Sequence, residues 1–185
     1  VLHAHPVQAQ VAHARITKLD VSAAYDVPGV VRVLTAVDVP GVNDAGVKHD
    51  EPLFPSEVMY FGHALAWVLG ETPDAARRGA AAVRVSYEQL PSVITVREAI
   101  EAGSFQGASP TIERGDVDAA LADAAHVFEG SLEIGGQEPF SLETHAPFAS
   151  REPDGRHSVA CSSRHTSCQQ RVLGQLLRMP SCRVA

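Results

Sequence analysis

The chain has 185 residues, of which 45% are hydrophobic and 20% charged, and its formal net charge is −7. This length suffices for one well-packed domain or two small ones, and the composition is ordinary for a globular protein. The negative charge, with no basic stripe and no aromatic stacking platform, argues against a protein that binds nucleic acid. The longest apolar run, ALAWVLG, is too short to cross a membrane.

The N-terminal stretch VLHAHPVQAQ lacks the basic start and long apolar core of a secretory signal, so we expect a cytoplasmic protein. Three cysteines, Cys161, Cys168 and Cys182, lie near the end of the chain. Their odd number and wide spacing favour reduced thiols over a disulfide framework. Because no two of them form a CxxC pair, zinc or iron–sulfur ligation is not expected either.

The first third of the chain alternates short elements with loops. Residues 11–20 and the β-branched run 30–39 predict two strands, separated by one helical turn with Ser22 as a candidate N-cap. The segment 40–55 is rich in Gly, Pro, Asn and Asp, which predicts a long irregular loop.

A strand pair and a helix are expected next. Residues 57–71 predict either a pair of strands or one bent strand, with Gly62 at the bend. The helix that follows has the clearest start signal in the chain, with Thr72 as N-cap, Pro73 at the first helical position and Asp74 in the first turn.

The remaining elements follow the same local signals, and SFQGASP at 104–110 is the best linker candidate. Strands are predicted at 84–91, 126–136, 144–152 and 157–164, and helices at 95–102, 115–127 and 166–179. In the last of these helices the apolar residues fall close to one face. Strand and helix alternate without the pattern of a doubly wound sheet, so the predicted fold class is α+β in two modules.

The histidines do not predict a metal site. His3 and His5 share one face of any strand, but neither they nor His13 gain the further ligands and supporting shell that a metal needs. His145 and His165 lie near the cysteines without metal-ligand spacing. We therefore expect packing or surface roles and predict no metal ligand in this chain.

The segment EIGGQEPFSLETH at 133–145 stands out because a Gly-Gly-Gln turn interrupts an otherwise strand-like stretch. Gly135 and Gly136 permit positive φ and close backbone approach to a ligand, and the Gln137 amide offers a donor and an acceptor without charge. A β-bulge with Gln137 bonded to backbone explains the same residues, and local chemistry alone favours it. No phosphate loop, dinucleotide fingerprint or G-x-S-x-G elbow occurs.

Several segments, in order, resemble the molybdenum-binding large subunit of the xanthine dehydrogenase/aldehyde oxidase family. GGQEPFSLETH is similar to that family's GGQEHFYLET, and the runs AHARITKLDVSAAYDVPGVVRVLTAVDVPG and DEPLFPSEVMYFGHALAWVLGETPDAARRGAAAVRVSYEQLP resemble its α/β-hammerhead domain. The resemblance implies a hammerhead domain at 1–105 and the beginning of a molybdopterin-binding domain at 106–185. His63 stands where the family usually has Gln, and Pro139 and Ser141 replace its usual His and Tyr.

The resemblance also implies a function. Gln137 would lie beside the molybdenum and hydrogen-bond its oxo ligand, and Gly136 would line the approach. The parent enzyme would hydroxylate purines, related heterocycles or aldehydes with oxygen from water. Molybdopterin would pass electrons to Fe-S clusters and FAD on other domains or subunits, in a homo-oligomer. The general-base glutamate and the glycine-rich pterin-binding segment are expected beyond Ala185, so we expect the chain alone to be inactive.

Two alternatives remain at this stage. One is a non-enzymatic docking or assembly module that keeps the hammerhead fold. The other is a cofactor-free metal binder that would use Cys161, Cys168 or His165. The first predicts a stable soluble dimer, and the second predicts metal retained after chelation.

Overall fold

The computed structural model describes residues 1–46, 48–108 and 110–185, which form two compact units. One unit comprises Val1–Val93 with His145–Ala185, and the other comprises Ile94–Thr144. The strands are β1 (His3–Gln8), β2 (Ala14–Asp20), β3 (Val30–Leu34), β4 (Glu57–Val58), β5 (Ala64–Gly70), β6 (Arg84–Gln89), β7 (Phe148–Arg151) and β8 (His157–Ala160). The helices are α1 (Pro73–Ala82), α2 (Val96–Glu101), α3 (Val117–Ala122) and α4 (Thr166–Leu176).

Two three-stranded antiparallel sheets build the first unit, in the orders β1-β5-β3 and β4-β2-β6. Strand β5 is apolar throughout because it serves two cores. Ala66 and Val68 belong to one buried cluster and Leu65 to the other. Successive side chains of a strand point to opposite faces, so a strand buried on both faces loses the polar alternation of an edge strand.

Helix α1 confirms the start signals of its sequence. The Thr72 hydroxyl accepts a hydrogen bond from the backbone N–H of Ala75 at 3.1 Å, and Pro73 opens the helix. Small residues on one face pack α1 against the first sheet. A Cβ on Gly79 would lie 2.6 Å from Val30 Cγ2 and 2.9 Å from Val68 Cγ1, so the helix approaches the sheet more closely than alanine allows.

Other predicted elements are shorter or capped differently. The strand predicted at 30–39 ends at Leu34, because Thr35 and Asp38 form a capping box around a 3₁₀ turn at Ala36–Asp38. The N-cap prediction for Ser22 is wrong, because Ser22 is the first residue of its 3₁₀ turn and bonds instead to the Asp20 carboxylate. Gly62 turns between β4 and β5 with φ of 86°.

The C-terminal part of the first unit places α4 beside the two-stranded sheet β7-β8. The loop after the 3₁₀ turn docks on the end of this helix, since Gly41 and Val42 donate their backbone N–H groups to the carbonyls of Leu176 and Gln175 at 2.9 and 3.3 Å. These bonds satisfy carbonyls that a helix C-terminus leaves without partners.

The second unit, Ile94–Thr144, contains α2 and α3. Capping explains both helices: Thr95 and Glu98 form a capping box on α2, and the Asp116 carboxylate accepts from Ala119 N–H at 2.9 Å. Ala99 alone among its described residues is half-buried, and the others are exposed. No helix in the described parts of the chain has the length and apolar character to span a bilayer.

Candidate functional site

The Gly-Gly-Gln turn lies in the second unit, in a segment without regular secondary structure. The strand predicted at 126–136 is not found, because this segment is exposed and has no neighbouring strand among the described residues to complete its backbone hydrogen bonds. The expected β-bulge is likewise absent from this described stretch, since a bulge needs a ladder to interrupt.

The Gln137 amide is exposed, and among the described residues it bonds only within its own turn. Its Nε2 group donates to the carbonyl oxygens of Gly135 at 3.2 Å and Gly136 at 3.4 Å. Both bonds are long, so they leave the amide ready to exchange them for a better acceptor. The β-bulge interpretation also expected Gln137 to bond to the backbone. The structure has this bond, although this described stretch has no bulge.

Gly135 and Gly136 do not use positive φ, because the positive-φ glycines described are Gly29, Gly62, Gly103, Gly115 and Gly155. The turn leaves open space beside the backbone of its two glycines. A Cβ built on Gly135 or Gly136 would meet nothing within 4 Å among the described residues. An incoming group can therefore approach the backbone of this turn directly.

A cleft of about 590 Å³ lies in the first unit, between α4, the segment 145–147 that precedes β7, and the end of β8 with the residues that follow it. From α4 come Cys168, Gln169, Val172, Leu173 and Leu176. Sequence analysis found the apolar face of α4 but not the cleft, because no local pattern joins its second wall, made of Ala45 and residues from 145 to 163, to the helix.

The second wall of this cleft carries two side-chain contacts. The Cys161 thiol donates to Gln169 Oε1 at 2.9 Å, and His145 Nδ1 lies 3.3 Å from Ser162 Oγ. A serine beside a histidine is also found in nucleophilic catalysis, but no acidic residue lines the described cleft to orient this imidazole.

The histidines considered as metal ligands lie on different parts of the described structure. His3 and His5 lie on β1, opposite Gly70 and Val68 of β5. The His165 backbone N–H donates to Ser163 Oγ at 3.1 Å as α4 begins. Among the described residues no group of three or more His, Cys, Asp or Glu side chains could hold a metal ion, and all three cysteines are free thiols.

His63, at the position where the family usually has Gln, is a packed aromatic. Its ring stacks on Tyr60 with centroids 4.4 Å apart, and its Nδ1 accepts the Met59 backbone N–H at 3.3 Å. Burial lowers the pKa of His63, because the charged imidazolium is desolvated there. His63 is therefore neutral near pH 7 and orders the turn between β4 and β5.

The surroundings of His13, in contrast to those of His63, favour the protonated imidazole. Its Nδ1 faces the Pro91 carbonyl and its Nε2 lies 3.1 Å from Glu57 Oε1. Both partners only accept hydrogen bonds, so the ring satisfies both when both nitrogens carry protons. The Pro91 carbonyl, then the Glu57 carboxylate, raise the pKa of His13 above 6.5.

The raised pKa of His13 predicts a pH-dependent stability of the unit formed by 1–93 and 145–185. The stabilisation is complete below the unfolded-state pKa of 6.5 and is lost as pH rises through the higher folded-state value. Denaturant unfolding of wild type and His13→Gln across this window measures it. We expect the difference in unfolding free energy to shrink as pH rises. A difference independent of pH would contradict the doubly bonded ring.

Comparisons with known proteins show which family this chain belongs to. The family model for the aldehyde oxidase and xanthine dehydrogenase a/b hammerhead domain matches residues 1–91. The model for the molybdopterin cofactor-binding domain matches residues 100–185, which include the Gly-Gly-Gln turn. The chain belongs to the xanthine dehydrogenase/aldehyde oxidase family. The predicted α+β fold, a hammerhead domain followed by the beginning of a molybdopterin-binding domain, is confirmed.

Relatives within the xanthine dehydrogenase/aldehyde oxidase family include xanthine dehydrogenase/oxidase of Mus musculus, 40% identical over 175 residues, and that of Gallus gallus, 38% identical over 175 residues. Each alignment covers 94% of this chain and 13% of the relative. The chain therefore spans about an eighth of the length of these curated relatives.

Solved structures share the fold. Aldehyde oxidoreductase from Desulfovibrio gigas superposes with a TM-score of 0.85 at 24% identity, over 100% of this chain and 22% of that one. Quinoline 2-oxidoreductase from Pseudomonas putida gives 0.80 at 22% identity, over 99% of this chain and 26% of that one.

Proposed function

We propose that this chain forms part of a molybdenum hydroxylase of the xanthine dehydrogenase type, in which Gln137 and Gly136 line the site of the molybdopterin cofactor. The observation that carries the proposal is the exposed Gln137 amide on an unobstructed Gly-Gly turn, within the stretch matched by the molybdopterin-binding model. The proposed domain boundary lies near residue 105, and the proposed location is the cytoplasm.

The residues present fit such a group by their chemistry. A carboxamide donates to an oxo or carbonyl oxygen through Nε2 and accepts through Oε1, and it stays neutral whatever charge its partner carries. The bare backbone of Gly135 and Gly136 leaves room for a bulky cofactor to reach it. When bound, the molybdenum centre supplies a two-electron oxidation in which a C–H bond of the substrate becomes C–OH.

The remaining parts of the proposed reaction lie outside this chain. Water supplies the oxygen atom, so substrate and water yield hydroxylated product, two protons and two electrons. The electrons leave through Fe-S clusters to FAD on other domains or subunits of a homo-oligomer. In this proposal the general-base glutamate belongs to another part of the complete enzyme, and the 185-residue chain alone is proposed to give no turnover. The proposed substrates are purines, with related heterocycles and aldehydes as further candidates.

The test determines whether the oxygen atom added to the product comes from water. The enzyme that contains this chain is given xanthine in ¹⁸O-labelled water, and the product is analysed by mass spectrometry after a single turnover. We expect one labelled oxygen in the hydroxylated product, because the proposed chemistry takes that atom from solvent. Product that carries oxygen from dissolved O₂, or no oxidation of xanthine, heterocycles or aldehydes, would overturn the proposal.

A second candidate function is a docking or assembly module, and the second unit supports it. Its large apolar side chains are unusually exposed, among them Ile112 and Leu142 at 100%, Phe128 at 93% and Phe140 at 91%. Large apolar side chains left exposed in this number are candidates for a surface that another polypeptide covers. A stable oligomer without turnover in the assay above would favour this function over the hydroxylase.

A further inference from the structure

We propose that His13, in its protonated form, fixes the exit segment, defined as residues 90–93, and that loss of the ring proton releases it. Through this segment the chain leaves the unit formed by 1–93 and 145–185. The contacts concerned lie within that unit, so the proposal does not depend on the role of Gln137. It goes beyond the stability of the unit, because it assigns the local freedom of the chain at the end of the unit to one imidazole.

His13 reaches both neighbours of a central strand. In the sheet β4-β2-β6 it immediately precedes β2, while Glu57 begins β4 and Pro91 follows the end of β6. The His13 Nε2 atom lies 3.1 Å from Glu57 Oε1, and Nδ1 faces the Pro91 carbonyl oxygen. One side chain therefore connects residues that lie 44 and 78 positions away along the chain.

The exit segment has few other contacts to hold it. The Leu90 backbone N–H donates to the His13 carbonyl oxygen at 3.1 Å. Among the described residues, this bond and the contact of the ring with Pro91 are the last hydrogen bonds that the chain makes with this unit before Ile94, where the other unit begins. Residues 91–93 are exposed, so burial does not replace these bonds.

The two partners of the ring require a proton on each of its nitrogens. A carbonyl oxygen and a carboxylate only accept hydrogen bonds, and only the imidazolium donates from both nitrogens. When the ring loses one proton, it retains the N–H that points at the Glu57 carboxylate, because hydrogen bonds to an ionised acceptor are about twice as strong as neutral ones. Nδ1 then presents a lone pair to the Pro91 carbonyl oxygen. The two repel each other, and the exit segment is released.

The charged groups around His13 favour the protonated ring. Glu57 on β4 is the carboxylate in contact with it. Arg15 on β2 lies opposite Glu57 in the ladder but pairs with Glu88 of β6. The exit segment and the loop between β1 and β2 carry no other ionisable side chain. The nearest charge is therefore negative, and it stabilises the imidazolium.

The range in which the exit segment is released follows from the direction of the pKa shift. The Pro91 carbonyl, then the Glu57 carboxylate, raise the pKa of His13 above its ordinary value of 6.5. The contact with Pro91 is complete below pH 6.5 and is lost as pH rises through the folded-state pKa. The exit segment is thus fixed in mildly acidic solution and free in mildly alkaline solution.

Amide hydrogen exchange of Leu90 in the 185-residue chain tests this release. Its protection is the exchange rate of an unstructured peptide divided by the measured rate at the same pH, and NMR follows it together with the titration of His13. As the ring loses its proton, we expect protection of Leu90 to fall about fivefold, the factor that corresponds to one net hydrogen bond. The midpoint of this fall should coincide with the His13 pKa measured in the same sample.

Two isosteric variants separate the contact from a general effect of charge. Glu57→Gln gives the neutral ring an amide donor for Nε2, so Nδ1–H can stay on the Pro91 carbonyl oxygen, and Leu90 should remain protected at every pH. Glu88→Gln removes the same charge from β6, where it pairs with an arginine instead of the imidazole, and should retain the pH-dependent fall. If Glu57→Gln does not fold, His13→Gln, which cannot titrate, decides: its Leu90 protection should not change with pH.

Three results would overturn the proposal: Leu90 protection in the wild type that does not change as His13 titrates, a fall of equal size in Glu57→Gln or His13→Gln, or no fall in Glu88→Gln. A measured His13 pKa at or below 6.5 would also overturn it, because the ring would then lack its two acceptors.

Discussion

Gly41→Ala is expected to detach the loop at 40–46 from the end of α4 and to destabilise the unit formed by 1–93 and 145–185. A Cβ at this position would overlap the carbonyl oxygen of Gln175 and lie 2.7 Å from that of Leu176. Because backbone atoms of the helix end cannot move aside as a flexible side chain can, the loop must shift. The N–H···O bonds that Gly41 and Val42 donate are then lost.

The expected loss from Gly41→Ala is about 3 kcal/mol. Two backbone hydrogen bonds contribute roughly 0.5–1.5 kcal/mol each, and overpacking adds about 1–3 kcal/mol. Denaturant unfolding measures the total, and hydrogen exchange of the last turn of α4 locates it. Gly130→Ala is the matched control, since a Cβ there meets nothing within 4 Å among the described residues. Equal unfolding free energies for the two variants would contradict the docked loop.

Local chemistry explains why much of the fold could be predicted from sequence. Helix α1 follows from Thr72 and Pro73, which act on the backbone of their own first turn. The bend at Gly62 likewise needs only a residue that tolerates positive φ. Such signals lie within a few residues of the element they determine.

Features that depend on distant residues could not be predicted in this way. The strand expected at 126–136 has strand-like residues but no partner strand in the part of the chain that the structure describes, and a strand is stable only as part of a sheet. The contact of Gly41 with the end of α4 joins residues more than a hundred positions apart. Val184 pairs with His157 of β8, although nothing in the last residues indicates a bridge.

The candidate site also has one part that the sequence indicated and one part that it did not. Gln137 and Gly136 were found through an ordered resemblance to a family, because a lone Gly-Gly-Gln is chemically ordinary. The structure finds the amide exposed and the glycines unobstructed. The role of Gln137 beside a cofactor stays a prediction. The cleft on α4 went unnoticed because no spacing in the sequence shows that Cys161, Ser162, Gln169 and His145 meet.

Gln137→Ala is expected to lower turnover without lowering stability. If Gln137 donates to an oxygen of the molybdenum centre, its removal should reduce kcat by about 10²–10³, the cost of losing one such preorganised donor. Its side chain is exposed and, within the described ranges, bonds only to its own turn, so the unfolding free energy should change by less than about 0.5 kcal/mol. Gln106→Ala, another exposed glutamine of the same unit, is the matched control and should leave both quantities unchanged.

The most direct measurement is kcat for xanthine hydroxylation by the complete enzyme, with wild type, Gln137→Ala and Gln106→Ala compared at equal molybdenum content. The account predicts a loss of about a hundredfold or more for Gln137→Ala alone. A kcat for Gln137→Ala equal to that of Gln106→Ala would contradict a place for this amide beside the cofactor.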